Sequence, residues 1–246
     1  MNLDWLLSHA EEIAALALQH ANLSWPPIVA SFIVAVPLGW LAHRLPRLRG
    51  SIVGVAGLLY AIPSLALFVV LPLVLGTSVL SRTNVIVAMT LYGIALLVRS
   101  AADGFDSVDP AVTNSATALG YPAWKRVCAV ELPLAGPVIL GGLRVVSAST
   151  ISLVSVGALV GVKSLGTLFT EGFARSFPTQ IIAGVAGTVL LAVLFDLLLV
   201  AAGRVAMPWA KAGKTGDASS PARAKTTAAG AGRGAAASAG RDGGKP

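Results

Sequence analysis

Apolar runs of about 18 or more residues recur along this chain with few charges inside them. As a helix, a run of that length crosses a hydrocarbon layer of about 30 Å. A single aqueous core within 246 residues could not hide so much apolar surface, so lipid must be the solvent for much of it. Charge content agrees: 12% of residues are charged, against about 25% in an ordinary soluble domain.

Five membrane-spanning helices are predicted, over about 25–42, 51–76, 83–101, 134–161 and 179–206. The fold class is therefore an all-α integral membrane protein, with residues 23–208 as its transmembrane domain. Residues 1–22 read as a separate short amphipathic helix lying at a membrane surface, where Trp5, Leu6, Ile13, Leu16 and Leu18 are interleaved with Asp4, Glu11 and Glu12. The start of the chain lacks the basic stretch of a cleaved signal peptide. Residues 209–246 are rich in Ala, Gly, Ser, Lys and Arg, and are expected to form a disordered basic tail.

The formal charge of +7 is distributed as in a membrane protein rather than a nucleic-acid binder. With five spans, Arg44, Arg47, Arg49, Arg99, Lys125, Arg126, Lys211 and Lys214 fall on one side, and Arg82, Lys163 and Arg175 on the other. The excess of basic residues marks the cytoplasmic side, which predicts an external N-terminus, a cytoplasmic 102–131 segment and a cytoplasmic tail.

No Ser/His/Asp set, acid pair or metal-binding cluster is visible, and Cys128 is the single cysteine. The expectation is no catalytic residue, no metal site and no cofactor. The stretch from Gly157 to Ser164 has a superficial phosphate-loop look, but Val162 stands where a glycine must precede the lysine. His9, His20 and His43 all fall near predicted surfaces or interfaces.

The informative segment is the polar stretch at 109–133. Asp109-Pro110 can open a helix over 111–119, Gly120 can end it, and Pro122 can start a second short helix over 122–130 that Leu132-Pro133 leads into the fourth span. This helix–Gly–helix element resembles the ATPase-coupling loop of binding-protein-dependent ABC importer permeases. Their pattern is Glu-Ala-Ala, three residues, Gly, nine residues, Ile, one residue, Leu-Pro. Here Asn114, Ser115 and Ala116 take the first three places, Gly120 the Gly, Val130 the Ile, and Leu132-Pro133 the end. Asn114 and Ser115 depart from the pattern, while the spacing is kept throughout.

A narrower resemblance covers 25–206. Val36-Pro37-Leu38-Gly39, Ala61-Ile62-Pro63-Ser64-Leu65-Ala66, Val108-Asp109-Pro110, the run from Val130 to Leu140 and the Gly-rich turn 161–166 look like permeases of the glycine betaine, carnitine and choline type. The resemblance implies a type I importer permease fold, similar to methionine importers, in a bacterial plasma membrane. It implies that cytoplasmic ATP-binding subunits hold the ATP and Mg, that a second permease copy or paralogue completes the pore, and that an external solute-binding protein delivers the solute. A permease for another solute such as an amino acid, a self-contained ion-coupled carrier and a membrane enzyme are the competing readings. The carrier should show inverted repeats or several buried charges, and neither is evident.

Within the spans, Pro37, Pro63 and Pro72 remove helix hydrogen bonds, and Pro63-Ser64 is a candidate for shaping a translocation path. Tyr60, Tyr92 and Trp40 could offer aromatic faces to a quaternary ammonium, or simply pack at an interface. Asp196 is the one carboxylate deep in the fifth span. It pairs with Arg204 or Arg144, takes a part in substrate passage or gating, or simply lies near the membrane interface. Gly157 and Gly161, and more weakly Gly184 and Thr188, have the small-xxx-small spacing of close helix packing.

Overall fold

Residues 3–209 are described by the computed structural model; the expected disordered tail lies outside them, apart from Trp209. All regular elements among the described residues are helical. The order is α1 (Leu3–Ser8), α2 (Ala10–Arg44), α3 (Pro46–Ala61), α4 (Ser64–Leu75), α5 (Arg82–Asp106), α6 (Pro110–Ala118), α7 (Ala123–Arg126), a π-turn (Val127–Glu131), α8 (Leu132–Val154), a 3-10 stretch (Ser155–Val160), α9 (Gly166–Ala174) and α10 (Pro178–Ala206). By length and composition four stretches can cross a membrane, and five can if the bent pair α3–α4 counts as one span.

Local chemistry sets many of these ends. Pro46, Pro110 and Pro178 take first-turn positions, where the missing N–H costs nothing. The Ser81 hydroxyl accepts from the Thr83 N–H at 3.3 Å to cap α5. Gly76, in the left-handed region, ends α4.

The helix α5 is the hub, packed against α2 on one side and α8 on another, with α3 and α4 alongside. Small residues let these helices approach. A Cβ built on Gly93 would lie 2.6 Å from the Ser31 Cβ, and one on Gly142 would lie 2.5 Å from the Ser100 Cβ. Val85, Ala88, Met89 and Tyr92 fill one end of the core with Phe68, Leu71 and Val154. Phe105, Ala101 and Val108 fill the other with Val36, Ala135 and Ile139.

Several boundaries differ from the sequence expectation. The separate helix at 1–22 merges with the first span: α2 runs unbroken through Trp25-Pro26-Pro27 for 35 residues, about 52 Å. His20 is fully buried rather than near a surface, with its Nε2 2.9 Å from the Ile151 carbonyl oxygen of α8. Gly157 and Gly161 do not form a helix-packing face, because the backbone there is 3-10 and Gly161 turns out of it at φ +84°. Gly184 does pack closely, facing Leu168 of α9. That short helix falls between the fourth and fifth predicted spans, where no helix is expected from the sequence.

Candidate coupling surface and pathway residues

The 109–133 segment projects from the end of the bundle where α5 stops and α8 begins. The Asp109 carboxylate accepts from the Ala111 N–H at 2.8 Å, and Pro110 takes the first turn of α6. The helix closes with the Tyr121 N–H donating to the Ala116 carbonyl at 3.1 Å and the Gly120 N–H donating to the Thr117 carbonyl at 3.0 Å. That pair of bonds is the Schellman arrangement, and it places Gly120 at φ +82°. Nothing lies within 4 Å of a Cβ built there, so the backbone angle alone demands glycine.

The second helix of the segment is not separate from the fourth span. Helical backbone runs from Ala123 to Val160 through the π-turn, where the Leu132 N–H donates to the Val127 carbonyl. Proline removes a donor and crowds the carbonyl four residues back. The wider turn just before Pro133 accommodates both effects, so no break is needed.

Arg126 ties the segment together. Its Nε donates to Glu131 Oε1 at 2.7 Å, and its Nη1 donates to the Thr117 hydroxyl at 2.9 Å. Glu131 is only 5% exposed, so the pair joins α6, α7 and the foot of α8. With His43, Arg44 and Asn114, these residues line a pocket of about 260 Å³. Nearby, His43 Nδ1 lies 2.6 Å from Asp106 Oδ1, and Arg49 bonds both Asp106 and Asp103, which fastens α2 and α3 to the same end of α5.

Of the motif residues, Asn114, Ser115 and Gly120 are exposed, Ala116 is buried, and Val130, Leu132 and Pro133 are half-buried. Leu132 packs on the Val36–Phe105 core, so the end of the motif is continuous with the bundle. The outer face carries two large apolar side chains, Leu119 at 78% and Trp124 at 71% exposure. The motif pattern did not single them out, nor the Arg126–Glu131 pair, whose five-residue spacing fits no ordinary α-helical rule and follows from the π-turn.

The pathway candidates divide. Tyr60, Pro63, Ser64 and Tyr92 come together at the junction of α3 and α4, whose axes differ by 100°. Ile62 and Pro63 are both extended there, with ψ 129° and 130°. Tyr60 and Tyr92 meet edge to face, with ring centroids 5.7 Å apart, and the Tyr92 hydroxyl donates to the Ile62 carbonyl. Trp40 belongs to the opposite core cluster. Asp196 pairs with Arg144 of α8, not Arg204: Nε and Nη2 donate to its two oxygens at 2.6 and 2.7 Å. This forked pair joins α8 to α10 on a partly exposed face.

The fold is a bundle of membrane-length helices with a helix–Gly–helix projection continuous with α8. Residues 24–210 match the family described as the inner membrane component of binding-protein-dependent transport systems, and the chain belongs to that family. It is 34% identical over 198 residues to the osmoprotectant import permease OsmW of Salmonella typhimurium, covering 79% of this chain and 92% of that protein. It is 35% identical over 182 residues to the glycine betaine/carnitine/choline permease OpuCD of Bacillus subtilis, covering 74% and 78%. Among solved structures, the inward-facing methionine ABC transporter MetNI superposes with a TM-score of 0.72 at 16% identity, over 83% of this chain and 98% of that one. An amino acid ABC transporter superposes with a TM-score of 0.67 at 13% identity, over 83% and 98%. The fold is that of a type I importer permease, and the protein is a multi-pass inner-membrane protein.

Proposed function

We propose that this chain is the membrane-spanning subunit of an ATP-driven importer for osmoprotectants such as glycine betaine, choline or carnitine. The observation that carries the importer-subunit reading is the helix–Gly–helix segment, with exposed Leu119 and Trp124 and a π-turn that leaves no break between it and α8; the osmoprotectant class is supported by the likeness to permeases of that kind. Cytoplasmic ATP-binding subunits hold ATP and Mg and grip the segment around Asn114, Ser115, Ala116 and Gly120. Because the segment continues into α8, a rotation of those subunits moves the transmembrane bundle as a rigid body. The chain itself hydrolyses nothing and binds no cofactor. A second permease copy or paralogue completes the pore, and an external solute-binding protein supplies the solute. The N-terminus is external and the tail cytoplasmic, following the distribution of Lys and Arg.

The test is reconstitution with the partner subunits in liposomes and measurement of labelled choline and glycine betaine uptake. ATP-dependent uptake of at least one, abolished without the binding protein, is expected. ATP-independent uptake by this chain alone would instead make it a carrier.

A further inference from the structure

The bend between α3 and α4 is the one place among the predicted spans where extended backbone interrupts the helix near mid-run. Sixteen helical residues precede it and twelve follow. Non-helical backbone at membrane depth persists only where protein buries it or water reaches it. Here Ala61, Ile62 and Pro63 are exposed on this chain, so its own helices do not bury them.

Pro63 has no N–H to donate, and the Ile62 N–H is taken by the Leu59 carbonyl at 3.4 Å. The last carbonyls of α3, those of Tyr60 and Ala61, are left without helical donors at the negative end of the helix dipole. Beside them the Tyr60 ring is 45% exposed. Tyr92 holds it edge to face, and Tyr92 is itself buried in the hub helix with its hydroxyl on the Ile62 carbonyl. A fixed aromatic face beside free carbonyls attracts cations. No Asp or Glu occurs in residues 50–102, so α4 and nearly all of α3 and α5 offer a cation partial charges only. That chemistry favours a poorly hydrated organic cation, which sheds its water readily and leaves again.

We propose that the α3–α4 bend is a cation site on the translocation path, taking the quaternary ammonium group of the solute on the Tyr60 ring and the free carbonyls of Tyr60 and Ala61. The proposal rests on the osmoprotectant reading above and adds a solute contact within the permease itself. Release is quick because the site offers partial charges only.

The experiment is ATP-driven uptake of labelled choline by the fully reconstituted transporter, with membrane level and bound ATP-binding subunit measured for each variant. Tyr60→Phe and Tyr60→Trp should retain uptake within about twofold, and Tyr60→Leu should lose about tenfold, as expected for one cation–aromatic contact. Equal uptake by the Leu variant, or equal loss in the Phe variant, overturns the site while leaving the osmoprotectant reading intact. If the wild type moves none of choline, glycine betaine and carnitine, both fall. Should the Leu variant fail to assemble, phenylalanine at position 60 carrying successive ring fluorines decides the matter. Uptake that falls stepwise with fluorination supports the site, and uptake that does not change overturns it.

Discussion

Gly39 in α2 and Gly57 in α3 sit on consecutive helices and meet opposite surroundings. A Cβ on Gly39 would lie 2.8 Å from the Ala102 backbone nitrogen, whereas nothing lies within 4 Å of one on Gly57. The contrast extends along both regions. Gly93 and Gly142 meet Ser31 and Ser100 at the α2–α5–α8 contacts, while Gly50 and Gly54 of α3 also face open space. Lipid tails are as apolar as leucine, so helices in a membrane are held together by close packing rather than by flight from water. The α2–α5–α8 core is closed by this chain alone. The α3–α4 arm and the 109–133 segment present surfaces that this chain does not fill, and these are the surfaces proposed above to meet solute and partners.

The largest effect should come from forcing the closed region open. Gly39→Leu drives a side chain into α5 backbone and should destabilise the bundle by about 3 kcal/mol. It would be read as loss of monodisperse protein after solubilisation. Next comes the Arg144–Asp196 pair. Arg144→Met or Asp196→Leu alone leaves a charge without its partner on a spanning helix, and membrane levels should drop for either. The double variant should recover much of the loss, which quantitative blotting would show. A smaller effect is expected at Gly120→Val, which must hold a β-branched residue at φ +82°. The strain is about 1–2 kcal/mol, confined to the projecting segment, so membrane levels should hold while the bound ATP-binding subunit declines. Smallest is Gly57→Ala, which should raise the stability of the solubilised chain by about 0.5–1 kcal/mol if the space beside it is open. A loss in the assembled transporter, set against a gain in the isolated chain, would show that another subunit lies against that face.

The sequence made the spans and the 109–133 spacing legible because both rest on local rules: apolar length, Asp-Pro at a helix start and Gly at a helix end. What it left open depends on contacts across the fold. Pro63 was readable as a kink, yet a 100° turn needs two extended residues and the Tyr92 hydroxyl on the Ile62 carbonyl, with Tyr92 thirty positions away. Asp196 had two candidate partners, and only packing of α10 on α8 selects Arg144. His20 read as lying near a surface or interface, because nothing local reveals the Ile151 carbonyl that accommodates it. The π-turn is likewise invisible to a period of 3.6 residues, and with it the Arg126–Glu131 pair.

The most direct test of the central claim is copurification of the ATP-binding subunit from membranes by the wild type and by a Leu119→Asp, Trp124→Asp double variant. Both side chains are exposed on this chain, so the substitutions should leave the bundle folded. The account predicts normal membrane levels of the double variant with at least about a tenfold loss of bound ATP-binding subunit, as removal of two buried apolar anchors implies. Undiminished copurification and ATP-driven uptake by the double variant would contradict it, and would place the coupling surface elsewhere on the molecule.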